Sequence, residues 1–129
     1  MILSISEHIY SVLASSQAVA SLVGGRIYPI ATKTEVDFPF IVYERDSVEV
    51  TYDKALRRQA STDATVYVLA ATHDESLAIA EAVVDALDKR EAEYAGFDVT
   101  DAWVTGAVES FVEQTYIQQI SFRFQINEK

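Results

Sequence analysis

A chain of 129 residues, half of them apolar, reads as one domain spanning 1–129, able to bury roughly two-thirds of its unfolded surface. Twenty Asp and Glu against ten Lys and Arg leave a net charge of -10, which argues against a surface built to grip phosphates. With no cysteine there is no disulfide framework, thiol nucleophile or thiolate metal site.

The first residues lack the basic region and continuous apolar core of a signal peptide, and no apolar run approaches the roughly 20 residues that span a bilayer. A soluble, intracellular protein is the expectation. Ser4 and Glu7 have the spacing of a capping box, and Ile5, Ile9, Val12 and Leu13 form a helical stripe, so a helix is expected over about 4–22. Ser16 can recap a shorter second piece, and Gly24-Gly25 stops it. Residues 26–30 are a short extended piece that Pro29 restricts to an edge. A strand starts at Phe40 and continues, more exposed, through Val48 and Val50. Residues 51–60 read as a long, exposed hairpin connection carrying Lys54, Arg57 and Arg58, which leads to a strand over 62–71 with Ala64, Val66, Val68 and Ala70 on one face.

Thr72 and Glu75 cap the next helix, about 73–89, whose expected stripe is Leu77, Ala80, Val83, Val84 and Leu87. Residues 97–113 are too long for an ordinary strand, and their apolar alternation switches face near Thr100–Ala102, where a β-bulge is expected. Ile120, Phe122, Phe124 and Ile126 alternate with polar residues in the cleanest strand of the chain. The order αβββαββ implies an α+β domain: a mostly antiparallel sheet of four to five strands with two helices packed on one face. Its expected core includes Ile5, Ile9, Val66, Val68, Leu77, Val84, Leu87, Ile120, Phe122 and Phe124.

Nothing in the chain predicts catalysis, a metal or a cofactor. His8 lies inside the first helix, and His73 with Asp74 and Glu75 reads as a capped helix start, since adjacent helical residues point apart. Val23-Gly24-Gly25-Arg26 lacks the spacing and the Lys-Ser/Thr of a phosphate loop. Two surface features remain. Lys54, Arg57 and Arg58 are the only local basic cluster: a solvated hairpin tip, or an arm that meets an acidic partner surface or DNA. Glu81, Asp85 and Asp88 lie on the second helix, away from its apolar stripe.

Gly24-Gly25-Arg26-Ile27-Tyr28-Pro29, Phe38-Pro39-Phe40-Ile41-Val42-Tyr43 and the alanine-rich helix from Ser76 to Val83 occur in an order and spacing that resemble the tail terminator, or tail completion, proteins of long-tailed bacteriophages. The resemblance covers nearly the whole chain; the long acidic connector after the second helix departs from it. It implies a non-enzymatic virion protein at the tail–neck region, assembled in the bacterial host cytoplasm. Such a protein ends the tail tube as a ring, typically a hexamer, and docks on head-side connector proteins. DNA then passes through without specific binding, with Glu81, Asp85 and Asp88 as candidate lumen acids. The residues alone also allow a non-viral α+β interaction module that forms a dimer or small oligomer.

Overall fold

The computed structural model describes residues 1–31 and 35–129. In chain order the elements are α1 (Ile5–Ser15), α2 (Gln17–Val23), β1 (Ile27–Pro29), β2 (Phe40–Tyr52), β3 (Arg58–Ala70), α3 (His73–Leu87), β4 (Ala92–Glu93), β5 (Phe97–Val112) and β6 (Thr115–Glu128). The strands form one six-stranded sheet in the order β1-β2-β3-β6-β5-β4. All neighbours pair antiparallel except β1 with β2, which is parallel.

The α+β class holds, with three helices and six strands among the described residues rather than two and four or five. The expected first helix breaks at Ser16, whose extended backbone ends α1 while its Oγ accepts from the Val19 N–H, 3.3 Å away, to cap α2. Gly24 then stops α2 at φ 60°, a left-handed conformation that costs glycine little. Ser4 caps nothing with its side chain; its carbonyl accepts from the Glu7 N–H instead. Thr72 does cap α3, accepting from the Glu75 N–H at 3.2 Å. The unforeseen β4 is a scrap of strand inside the acidic connector.

Side-chain alternation gives the sheet an apolar face that α1 and α3 cover, with α2 packed against both helices. Val66 lies opposite Ile120, Ala64 opposite Phe122, and Thr62 opposite Phe124. Ile5, Ile9, Leu13 and Val19 from α1 and α2, with Ile79, Val83 and Leu87 from α3, complete the core. The expected α3 stripe holds at Ala80, Val83 and Leu87 and is replaced at two positions, Ser76 and Ile79 standing in for Leu77 and Val84. Ser76, Ile79, Ala80, Val83 and Leu87 face the sheet, Val84 is only partly buried, and Leu77 is 43% exposed. Small Ser76 sits where a leucine was expected, because its Oγ is within 3.2 Å of the buried Gln118 Nε2, which donates to it.

On β5 the expected bulge is present at Thr100, and a second at Thr105 turns the alternation back. Val108 and Val112 therefore face away from the helices and are exposed. The long connection expected over 51–60 is also shorter: the β2–β3 ladder runs to Tyr52 opposite Arg58.

Replacing Phe122 or Phe124 by Ala is expected to cost on the order of 3–5 kcal/mol in urea unfolding, whereas Leu77→Ala should change stability by less than about 0.5 kcal/mol. A Leu77→Ala loss comparable to either Phe change would contradict the orientation of α3.

Candidate functional site

The candidate basic arm is a compact turn. Asp53 Oδ1 accepts from the N–H groups of Ala55 (2.8 Å) and Arg57 (2.9 Å), and its Oδ2 takes the Arg57 guanidinium at 3.1 Å. These bonds, led by the one from the Arg57 backbone, hold the Asp53 carboxyl below its ordinary range. Leu56 stands at the tip with φ 63° and 79% exposed. Arg58 turns to the end of β6 and meets Glu128 at 2.7 Å, where the Met1 amino group also binds, 2.8 Å from the same carboxylate. With two cations there, led by the amino group, the Glu128 carboxyl is lowered to about 2. Arg57 and Arg58 are thus neutralised within the chain, while Lys54 is exposed.

At the opposite end of the sheet, the start of α3 meets the β5–β6 hairpin. His73 Nε2 and Gln118 Nε2 each approach Glu109 Oε2 at 2.8 Å, and the Ser76 hydroxyl donates to the His73 carbonyl at 2.8 Å. Hydrogen bonds from Gln118 first, and then His73, lower the Glu109 carboxyl. The cluster clamps hairpin to helix: the Ser76 hydroxyl is spent on a backbone carbonyl and has no base beside it. Phe111 and Tyr116 pack at 4.6 Å just beyond, and the hairpin closes through Glu113 and Gln114, both at positive φ.

Glu81 and Asp85 lie exposed on the solvent side of α3. Asp88 ends the helix and has a structural partner: its Oδ1 accepts from the Val104 N–H of β5 at 3.2 Å. Sequence reasoning missed a larger feature, the helix-free face of the sheet. Its lower rows are polar, with Arg123 paired to Asp63 at 2.8 Å and Ser47 donating to Asp63 at 3.1 Å. Tyr67 donates to Glu44 at 2.7 Å, a bond that pushes the phenol up to about 12. Its upper two rows, Tyr28-Val42-Tyr67-Gln119-Val108 and Phe40-Leu69-Ile117-Ser110, are mostly apolar. The signal was the odd-numbered alternation Tyr67, Leu69 on β3, read only for its buried face.

His8 is fully buried between Tyr94, whose hydroxyl is 2.8 Å from its Nδ1, and the Phe124 ring. It is a core residue. Among the described residues no group of His, Cys, Asp and Glu is arranged to hold a metal ion, and no helix is long and apolar enough to cross a membrane.

Residues 7–128 match the family model described as tail completion protein gp17. The chain belongs to this tail completion family. Its members are structural proteins of the phage tail, and α2, α3, the β2–β3 turn and the β5–β6 hairpin fall within the matched residues, with all but the first two residues of α1. A chain in the virion of a native gene transfer agent particle has the same fold, with TM-score 0.79 and 22% identity over 92% of this chain and 91% of that one. No curated protein matches.

Burial, and secondarily the charge of Arg90, lowers His8 to about 4 from an ordinary 6.5. The unfolded chain therefore binds the extra proton between those values. Stability from His8 is complete above about pH 6.5 and falls as pH drops toward 4, by on the order of 3 kcal/mol. Urea unfolding at pH 7 and pH 4.5 should show a smaller pH-dependent loss in His8→Leu than in the unmodified protein. An equal loss in both would contradict this.

Proposed function

We propose that this protein ends the tail tube and joins it to the head-side connector as a ring, a hexamer by family resemblance. The observation that carries the reading is the family match over residues 7–128. The fold is consistent with it: a wide sheet has helices on one face only, and the other face bears two mostly apolar rows. Its partners are further copies of itself, the tail tube protein and a head completion or connector protein, in the tail–neck region of a virion assembled in the host cytoplasm. The β2–β3 turn is the arm that reaches a partner. Since Arg57 and Arg58 are paired at home, contact falls to Leu56 and Lys54.

A ring that passes DNA must not hold it, because each unpaired Lys or Arg on the wall adds affinity for phosphate. With the helical layer turned inward, Glu81, Asp85 and Asp88 face the channel. With the sheet inward, Glu44, Glu49, Asp63 and Asp101 face it against Arg123. The inner wall is net negative in both arrangements, and the protein has no specific affinity for duplex DNA.

Deleting the gene from the particle that encodes it should give tails of irregular length that do not join filled heads, scored by electron microscopy. Normal tails joined to heads would overturn the reading. In gel retardation at physiological salt, duplex DNA should migrate unshifted by the purified protein; a discrete retarded complex would overturn the non-gripping wall.

A further inference from the structure

β2 and β5, each next to a very short edge strand, are sealed over only part of their length and bare for the rest. On one side β1 covers Ile41 to Tyr43 of β2, and among the described residues no strand pairs with β2 beyond them. On the other side β4 covers Asp98 and Val99 of β5. The end of α3 then takes over: the Lys89 N–H donates to the Ala102 carbonyl at 2.8 Å, and Asp88 Oδ1 accepts from the Val104 N–H. Past Val104, among the described residues, the outer edge of β5 is unsealed.

Backbone pairing decides which residues aim their polar groups outward. In an antiparallel pair, hydrogen-bonded and non-hydrogen-bonded rungs alternate, and residues of the latter point N–H and C=O away from the partner strand. The Asp53 N–H donates to the Arg57 carbonyl at 2.9 Å, so Tyr52, Val50 and Val48 point outward on β2. The two-residue turn at Glu113 and Gln114 makes Val112–Thr115 a bonded rung, so Phe111, Glu109 and Ala107 point outward on β5. The outward Val104 N–H, already taken by Asp88, obeys the same alternation across the Thr105 bulge.

The two bare stretches fit each other. Beyond the irregularity at Asp46, β2 offers Val48, Val50 and Tyr52 and β5 offers Ala107, Glu109 and Phe111, and all their side chains lie on the helical side of the sheet. When a second sheet is set beside the first with the same face forward, β5 of one copy runs antiparallel to β2 of the next. The stretches also carry large apolar side chains that the protomer leaves in water: Tyr52 is 65% exposed, Phe111 52% and Val50 38%. Unpaired edges with exposed apolar side chains are templates for strand addition.

We propose that β5 of one copy pairs antiparallel with β2 of the next, setting Phe111 opposite Val48, Glu109 opposite Val50 and Ala107 opposite Tyr52. This rests on the ring reading and specifies its joint. The contact is head-to-tail, using different surfaces on the two copies, so it propagates and can close. The bare stretches lie at opposite ends of the sheet. Joining them offsets one copy along its neighbour's strands, from the Ile126 level of β6 to the Gln118 level, and a closed ring then has strands inclined to its axis.

Because the chain has no cysteine, Tyr52→Cys, Ala107→Cys and their combination test the joint directly. Directly opposed strand residues lie within disulfide reach. After oxidation, the double variant should run as a ladder of covalent multimers that reductant collapses, while each single variant stays uncross-linked. Native mass spectrometry of the same samples reports assembly independently. A covalent dimer from either single variant would mean two-fold pairing and overturn the proposal. Rings that form without a ladder in the double variant would overturn the joint but leave the ring reading standing. Monomers at every concentration, with or without purified tail tube, would remove the ring reading and the joint together.

Discussion

Burial of one face of the two central strands is the constraint on which the other elements depend. Ala64, Val66 and Val68 of β3 and Ile120, Phe122, Phe124 and Ile126 of β6 form a continuous apolar surface. A one-residue slip between these strands would carry every such side chain to the water side, so the register is held by the whole hydrophobic term at once. The helices are then placed by elimination. α3 follows β3 through a short capped turn and must fold back over this surface, and α1 and α2 fill what it leaves uncovered. His8 goes into the core with α1, and its burial in the neutral state follows from the same packing.

The sheet's other face is unconstrained by that core, and the chain uses it differently along its length. Paired charges and hydroxyls occupy the lower rows, where Asp63, Arg123 and Ser47 satisfy one another. Mostly aliphatic and aromatic side chains occupy the upper rows, interrupted by Gln119 and Ser110. The asymmetry between ends recurs in the clamps: Glu128 gathers the Met1 amino group and Arg58 at one end, and Glu109 gathers His73 and Gln118 at the other. A single carboxylate in each place holds together chain segments distant in sequence.

The legible parts of the sequence were those where one strong local signal was enough. Perfect alternation in β6, the Thr72 cap and the Thr100 bulge were all readable from side-chain type alone. The rest depended on partners. Ser76 displaces Leu77 from the core only because Gln118 lies across from it, which no helical periodicity reveals. The compact β2–β3 turn depends on Asp53 collecting two backbone N–H groups, a local pattern hidden in a stretch that looked merely polar. β1 and β4 are too short to carry a period. For the site, the basic and acidic residues were found as candidates, but their home partners and the bare strand edges emerge only from pairing.

The placement of the bulges has a geometric consequence. Irregularities occur at Asp46 on β2 and at Thr100 and Thr105 on β5, whereas β3 and β6 pair without a shift from Gln59 to Ala70. Extra residues sharpen twist and bend locally, so the sheet behaves as a stiff central panel with curved margins. In a closed circle of copies, the angle between neighbouring panels would be absorbed in those margins. Inserting or deleting a residue at a bulge would then change the circumference while leaving the panel, and the core beneath it, intact.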